Sequence, residues 1–413
     1  MNRIYYSLIG YLLLPAMLLR LLFKGLKTPA YSQRIGQRLG FIKTITQPVI
    51  WVHCVSVGEF KAAIVLIDAL IKAYPNHKIF ISSTTPTGSK AVTEHYQEQV
   101  LHAYFPFDIN FIVQRYIKRV QPDLCLLLET EIWPNLIHTL HKNKIPTLLV
   151  NARLSQQSLK KYQRFQQLSA QTLNKLSLIA AQNQNSAQRF IELGVDQDKV
   201  LPAGNIKFDQ TTTPDVALVE QLKKLTGKRK VVVFASTHKG EEEKILNAYL
   251  QNPVEALMLI IPRHPERFNE VFDLAKKNKL TVAKRSDNKP CKDCQILIGD
   301  SMGEMMAYFA IADVVFMGGS LVKTGGHNML EPATLSKPIL FGPHVFNFSE
   351  ISTALLEQQG AIQVQDANQL LREITQLFSN DKMRKNLGSN ANQYFKSQQG
   401  AVKTLLKSIK QLL

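Results

Sequence analysis

Ser56-Val57-Gly58-Glu59 closes an apolar run and opens an apolar helical pattern. A carboxylate just past the carboxyl end of a strand is where a general base would sit. The same residues form an S-x-x-E capping box in which Glu59 reaches back to the Ser56 N–H, so a purely structural role competes with the catalytic one. Glu129-Thr130-Glu131-Ile132-Trp133-Pro134 closes another apolar run. Carboxylates two apart on an extended backbone point the same way and repel, which raises one pKa unless a cation intervenes. Glu131 also suits the acidic first turn of a helix. Lys207, in Gly204-Asn205-Ile206-Lys207, is a cation close to the midpoint of the chain, although a lone lysine is ordinarily just solvated.

Other segments suit anions. Thr84-Thr85-Pro86-Thr87-Gly88 pairs a cap residue with proline at the first helical position, which is either a plain helix start or a seat for an anion. Pro262-Arg263-His264-Pro265 offers a guanidinium for bidentate phosphate binding. Gly303-Glu304-Met305 opens a helix, and Gly318-Gly319 through Gly326-His327-Asn328-Met329-Leu330-Glu331 combines two glycine pairs with a helix start. Such a loop lets the backbone approach a phosphate, and Glu331 could hold ribose hydroxyls. The loop is neither G-x-G-x-x-G nor a Walker A loop, which disfavours dinucleotide and P-loop chemistry. Asp196-Gln197-Asp198 matches a metal-binding D-x-D pattern but falls in a polar turn away from any strand end, and Cys291-x-x-Cys294 is half a zinc site without its partner. Both read as ordinary loops, the second carrying thiols.

The elements that must position these residues alternate. Runs rich in Val, Ile, Leu and Phe recur about every 25 residues between helical-period segments, the pattern of parallel β-α units. Strands are expected at 49–55, 78–84, 101–105, 123–129, 147–151 and 178–182, then at 230–236, 256–261, 280–283, 295–298, 313–317 and 338–341. Helices are expected at 60–73 and 109–120 and towards the C-terminus. Lys207–Lys228 breaks the alternation with Thr211-Thr212-Thr213-Pro214 and a short charged helix, and reads as a linker. Two doubly wound halves joined there would face each other across a cleft and bind ligands beyond the carboxyl ends of their strands.

At 413 residues the chain is long enough for two domains with full cores. Fifty Lys and Arg against 32 Asp and Glu give a net charge of +18, which predicts attraction to nucleic acid, anionic lipid or phosphorylated substrates. Arg3, Arg20, Lys24, Lys27, Arg34, Arg38 and Lys43 precede the first acid, Glu59, and flank the uncharged Ile4–Leu19. Extended to Phe23, that segment approaches the ~30 Å of a bilayer core, with Pro15 expected to kink it, Arg20 to snorkel and tyrosines to sit at the interface. No A-x-A cleavage site follows, so it reads as a retained membrane anchor, either spanning or lying in the interface, ahead of an ordinary packed helix or a cleaved signal, and the basic flank places the main body in the cytoplasm. The four cysteines, Cys54, Cys125, Cys291 and Cys294, do not make a disulfide framework.

Taken in order, Trp51–Glu59, Glu129–Asn135, Asn151-Ala152-Arg153-Leu154-Ser155, Gly204–Lys207, Pro262–Pro265, Gly303–Met305 and Gly318–Glu331 resemble the bacterial Kdo transferases, which add 3-deoxy-D-manno-octulosonic acid to the lipid A precursor. The resemblance covers nearly the whole chain; Cys54 replaces the small residue common at that position. It implies a GT-B fold divided into an anchor (1–24), an acceptor-side Rossmann-like domain (25–206), a linker (207–228) and a donor-binding domain with the C-terminal helices (229–413). It further implies Glu59 as base, Glu129 and Lys207 as supporting residues, and Pro262, Arg263, Gly303, Glu304, Met305, Asn328, Met329, Leu330 and Glu331 around the CMP of a CMP-Kdo donor. The implied partners are that donor, a lipid A precursor and an anionic inner-membrane surface, with no cofactor, metal or nucleic acid. Another GT-B transferase or epimerase would keep the fold and change the donor. A non-enzymatic basic membrane or nucleic-acid binder would explain the charge without a site, but the cations cluster at the anchor without aromatic interleaving.

Overall fold

The computed structural model describes residues 2–210, 213–291 and 293–413. Met1 of the anchor, Thr211 and Thr212 of the linker and Lys292 between two cysteines lie outside the described residues. The chain divides into two compact α/β units, Met1–Gln210 with Gln398–Leu413, and Thr211–Ser397.

The first unit is built on a seven-stranded sheet of order β3-β2-β1-β4-β5-β6-β7, comprising β1 Val49–His53, β2 Lys78–Ser83, β3 Leu101–Tyr104, β4 Leu124–Leu128, β5 Thr147–Ala152, β6 Leu178–Ala181 and β7 Val200–Pro202. Every pairing is parallel. Helices cover both faces, so the central strands are apolar throughout rather than alternating. In β1, Ile50 and Val52 pack on one side with Leu66 and Leu70 of the helix Val57–Ala73, while Val49 and Trp51 pack on the other with Phe80 and Tyr116. β1 pairs with both β2 and β4, which makes its carboxyl end the point where successive crossovers diverge, the usual crevice of such sheets.

The second sheet repeats the plan in the order β10-β11-β9-β8-β12-β13-β14. Its strands are β8 Val231–Thr237, β9 Leu257–Pro262, β10 Val282–Lys284, β11 Ile296–Ile298, β12 Val314–Met317, β13 Ile339–Phe341 and β14 Ala361–Gln363. Here β8 lies between β9 and β12, so the equivalent crevice falls at the carboxyl ends of β8 and β12.

The linker is shorter than expected. Ile206–Asp209 is a 3-10 turn of the first unit, and the helix Val216–Thr226 belongs to the second. The C-terminal helix Ala401–Lys410 departs from sequence order and packs in the first unit, not with the second half. Val402, Leu405 and Ile409 enter the same apolar cluster as Leu66 and Ile67. Asp209 fixes its start by accepting the N–H groups of Gly400 and Val402, both at 2.6 Å.

The apolar N-terminal segment forms one helix, Arg3–Lys27, which continues through Pro15 as a single element. Cys291 and Cys294 are joined as a disulfide, with Cα atoms 5.3 Å apart, rather than standing as separate thiols, while Cys54 and Cys125 are free and buried.

Candidate active site

In the first unit, Glu59 occupies the first turn of Val57–Ala73, directly beyond β1. Its carboxylate accepts the Val55 N–H at 2.8 Å and the Ser56 hydroxyl at 3.2 Å. The capping box therefore closes one residue upstream of the expected donor. Glu59 remains half-buried, and its carboxyl is pushed up to about 7, chiefly by burial, with the charges of Glu129 and Glu131 adding to the push. These three carboxylates thus share one neighbourhood at the carboxyl edge of the sheet.

Glu129 and Glu131 are not the parallel pair that extended backbone would give. Glu129 sits in the left-handed region at φ 56°, while its N–H closes the β4–β5 ladder on Val150 O at 2.9 Å. The turn separates the two side chains. Glu129 Oε1 lies 4.0 Å from Lys207 Nζ. Glu131 accepts the Trp133 indole N–H at 2.7 Å and stands 3.7 Å from Nε2 of the buried His53. It precedes the helix Pro134–Lys142 rather than occupying its first turn. Lys207 owes its place to Asn151, which adopts φ 54° at the end of β5 and accepts the Ile206 N–H at 3.1 Å. The Thr84–Gly88 segment does start a helix, Pro86–Tyr96, but Thr85 takes the Gly88 N–H at 3.1 Å for its cap.

In the second unit, Pro262 ends β9, and the Arg263 N–H donates to Thr237 O at 2.9 Å, leaving the guanidinium exposed at the edge. Two histidines join it. His238 follows β8 and His327 lies in the glycine-rich loop; their Nε2 atoms are 2.8 Å apart with the rings stacked. His264 meets His238 edge-on, 5.5 Å between centroids. Burial, with His238, Arg263 and His264 close by, pushes His327 down to about 4, so its ring is neutral near pH 7.

Gly303–Met305 follows β11. Gly303 is exposed at φ 82°, while the Glu304 carboxylate is engaged by Arg285 Nε at 3.1 Å, Ser301 Oγ at 2.7 Å and Tyr308 OH at 3.0 Å. Asn328 Nδ2 donates to Glu331 Oε1 at 3.2 Å, and both residues are half-buried, whereas Met329 and Leu330 are core. The helix Leu330–Thr334 is a single short turn.

The glycine-rich loop departs most from expectation. The N–H groups of Gly319, Ser320 and Leu321, expected to face a phosphate, donate instead to the buried carboxylate of Glu241 at 2.7, 2.9 and 2.8 Å, and the His238 N–H joins them at 3.0 Å. Gly318 is glycine for a packing reason, since a Cβ there would stand 2.7 Å from Ser236 O.

The profile of the family described as 3-Deoxy-D-manno-octulosonic-acid transferase (kdotransferase) matches residues 33–210, and that of Glycosyl transferases group 1 matches 249–394. A 3-deoxy-D-manno-octulosonic acid transferase of Haemophilus influenzae is 39% identical, across 100% of this chain and 99% of that protein. This chain belongs to the Kdo transferase family. It is a glycosyltransferase with a GT-B fold. A second relative of the same description, from Bordetella pertussis, is 31% identical over 93% of this chain and 91% of its own. A glycosyltransferase of Rickettsia africae shares the fold at a TM-score of 0.59 and 15% identity, covering 89% of this chain and 98% of that one.

In this Kdo transferase, sequence reasoning passed over His238, Glu241 and Arg285. His238 stands immediately past a strand and could have been found by position alone. Glu241 begins an ordinary Glu-Glu-Glu first turn, and Arg285 is one of many cations, so neither carried a signal.

Proposed function

We propose that this enzyme transfers Kdo from CMP-Kdo to a hydroxyl of the lipid A precursor with inversion at the anomeric carbon, as a step of lipopolysaccharide core biosynthesis. The observation that carries the reading is Glu59, a half-buried carboxyl beyond β1 that is pushed up to about 7. A base that takes an alcohol proton near neutral pH works best with its pKa there. The acceptor oxygen attacks the anomeric carbon, its proton passes to Glu59, and the bond to the phosphate oxygen of CMP breaks with its electron pair on the departing nucleotide. The first unit approaches the acceptor. Lys207, 4.0 Å from Glu129, supplies a cation for the Kdo carboxylate or for charge in the transition state.

The second unit holds the donor through Pro262, Arg263, Gly303–Met305 and Asn328–Glu331, with Arg263 meeting charge on the leaving phosphate. A single phosphate needs less compensation than a diphosphate, which supports transfer without a divalent metal. The exposed apolar helix and the absence of any acid before Glu59 support residence at the inner membrane with the catalytic body in the cytoplasm.

The test is product mass analysis after incubation with CMP-Kdo and a lipid A precursor: a gain of one or more Kdo residues supports the reading, and an unchanged acceptor with intact donor rejects it. Arg263→Lys is expected to raise the donor KM roughly tenfold and leave the acceptor KM alone, because an ammonium cannot reproduce the two-bond grip of guanidinium on phosphate. Initial rates at varied CMP-Kdo measure it, and an unchanged donor dependence would return Arg263 to the solvated surface.

A further inference from the structure

The helix Arg3–Lys27 is long and apolar enough to cross a bilayer. Both of its ends, however, are fastened to the first unit. At the start, Arg3 Nη1 and Ser7 Oγ donate to Asn135 Oδ1 at 3.2 and 2.8 Å. Asn135 is fully buried and is held in turn by Asp108, whose carboxylate accepts the N–H groups of Asn135 and Leu136. The Tyr6 hydroxyl faces that same carboxylate. Further along, Gly10 comes against Ile109 and Tyr11 stacks on Phe111 with centroids 5.8 Å apart.

At the far end, Gly25 is buried so closely that a Cβ would stand 2.6 Å from Ser32. The chain then turns back onto β3. The guanidinium groups of Arg34 and Arg38 lie 4.4 and 4.1 Å from the centroid of the Tyr104 ring, and Arg38 donates to Thr84 O at 2.8 Å. A helix of 25 residues is about 37 Å long, and one whose two ends are held by a single folded body cannot deliver them to opposite faces of a bilayer.

We infer that this helix lies in the plane of an anionic membrane surface, its outer face sunk at the boundary between headgroups and acyl chains. That face is apolar and open: Leu12 and Leu26 are 80% and 81% exposed, with Ile4, Leu8, Leu19 and Phe23 along the same side. The inner side, through Ser7, Gly10 and Gly25, is the one turned to the protein. The occupant follows from charge. Seven cations and no acid lie before Glu59, and Arg20, Lys24 and Lys27 are exposed on the helix itself, where each adds attraction to an anionic surface. The helix thus keeps the first unit against the membrane at a fixed height, which suits an acceptor whose acyl chains remain in the bilayer.

This inference rests on the membrane location proposed above, and its test separates the two. Asn2→Cys and Lys27→Cys are placed singly in the full chain and expressed in a Gram-negative host; inverted inner-membrane vesicles are then treated with an impermeant maleimide. Cys54, Cys125, Cys291 and Cys294 are all buried, so the native background is low. Labelling of the two sites agreeing within about twofold, each referred to its value in detergent, supports the in-plane helix. A tenfold or greater protection of Asn2→Cys relative to Lys27→Cys, relieved only by detergent, puts the ends on opposite sides and overturns it while sparing the membrane location. Protein that fails to sediment with the vesicles overturns both.

Discussion

Glu59→Gln is expected to lower kcat by a factor of about 10² to 10⁴ with CMP-Kdo affinity and the far-ultraviolet circular dichroism spectrum unchanged. The amide keeps an acceptor for the Val55 N–H, so the helix start survives, but it cannot take the proton of the attacking hydroxyl. A rate within threefold of the parent would leave Glu59 with its capping role alone. The pH profile offers an independent reading. Burial holds the Glu59 carboxyl up at about 7, so lowering the pH protonates it and removes the base. The parent kcat/KM should therefore fall about tenfold per unit below pH 7 and level off above it. The residual activity of Glu59→Gln should lack that limb, which steady-state rates from pH 5.5 to 8.5 would show.

The second large effect is expected at a residue with no proposed contact to substrate. Glu241 is fully buried, and its two oxygens absorb four backbone donors from His238, Gly319, Ser320 and Leu321. Glu241→Ala strands all four, and each unsatisfied buried donor costs roughly 1–3 kcal/mol before water fills the space. The second unit should lose at least ~3 kcal/mol in urea titration, seen as an earlier first transition if the units unfold separately. Glu241→Gln should fall between, because its amide presents an NH₂ where only acceptors fit. Donor KM should rise in both variants as the loop carrying His327 and Asn328 loosens. A stability change under 1 kcal/mol in Glu241→Ala would show that the loop holds its shape without this carboxylate.

The parallel sheets were legible because buried strands are written as unbroken apolar runs; β1, β4, β8 and β9 all fall within two residues of their expected limits. β7 and β14 were not, since each is a three-residue edge strand with little apolar length to recognise. The placement of Glu59, Glu129 and Arg263 just beyond strand ends followed from the expected strand limits. Their local geometry did not follow. The left-handed turn at Glu129 carries no glycine to announce it, and the His238–His327 pair joins residues 89 positions apart. The glycine-rich loop misled for a physical reason: backbone donors that look suited to a phosphate serve equally well for an internal carboxylate. Sequence position also misassigned the last helix, because apolar periodicity says that a face is buried without saying against what.

That last helix has a consequence for synthesis on the ribosome. Residues 213–397 form a continuous unit that can fold as soon as it emerges. The first unit must wait, with Ile50, Val52, Leu66 and Leu70 lacking the cover that Val402, Leu405 and Ile409 eventually provide. At 5–20 residues per second the intervening stretch takes roughly 10–40 s to translate. Throughout that time the helix carrying Glu59 has an unfinished back, an apolar surface of the kind chaperones bind. The first unit therefore closes only after the second unit's fold is already in place.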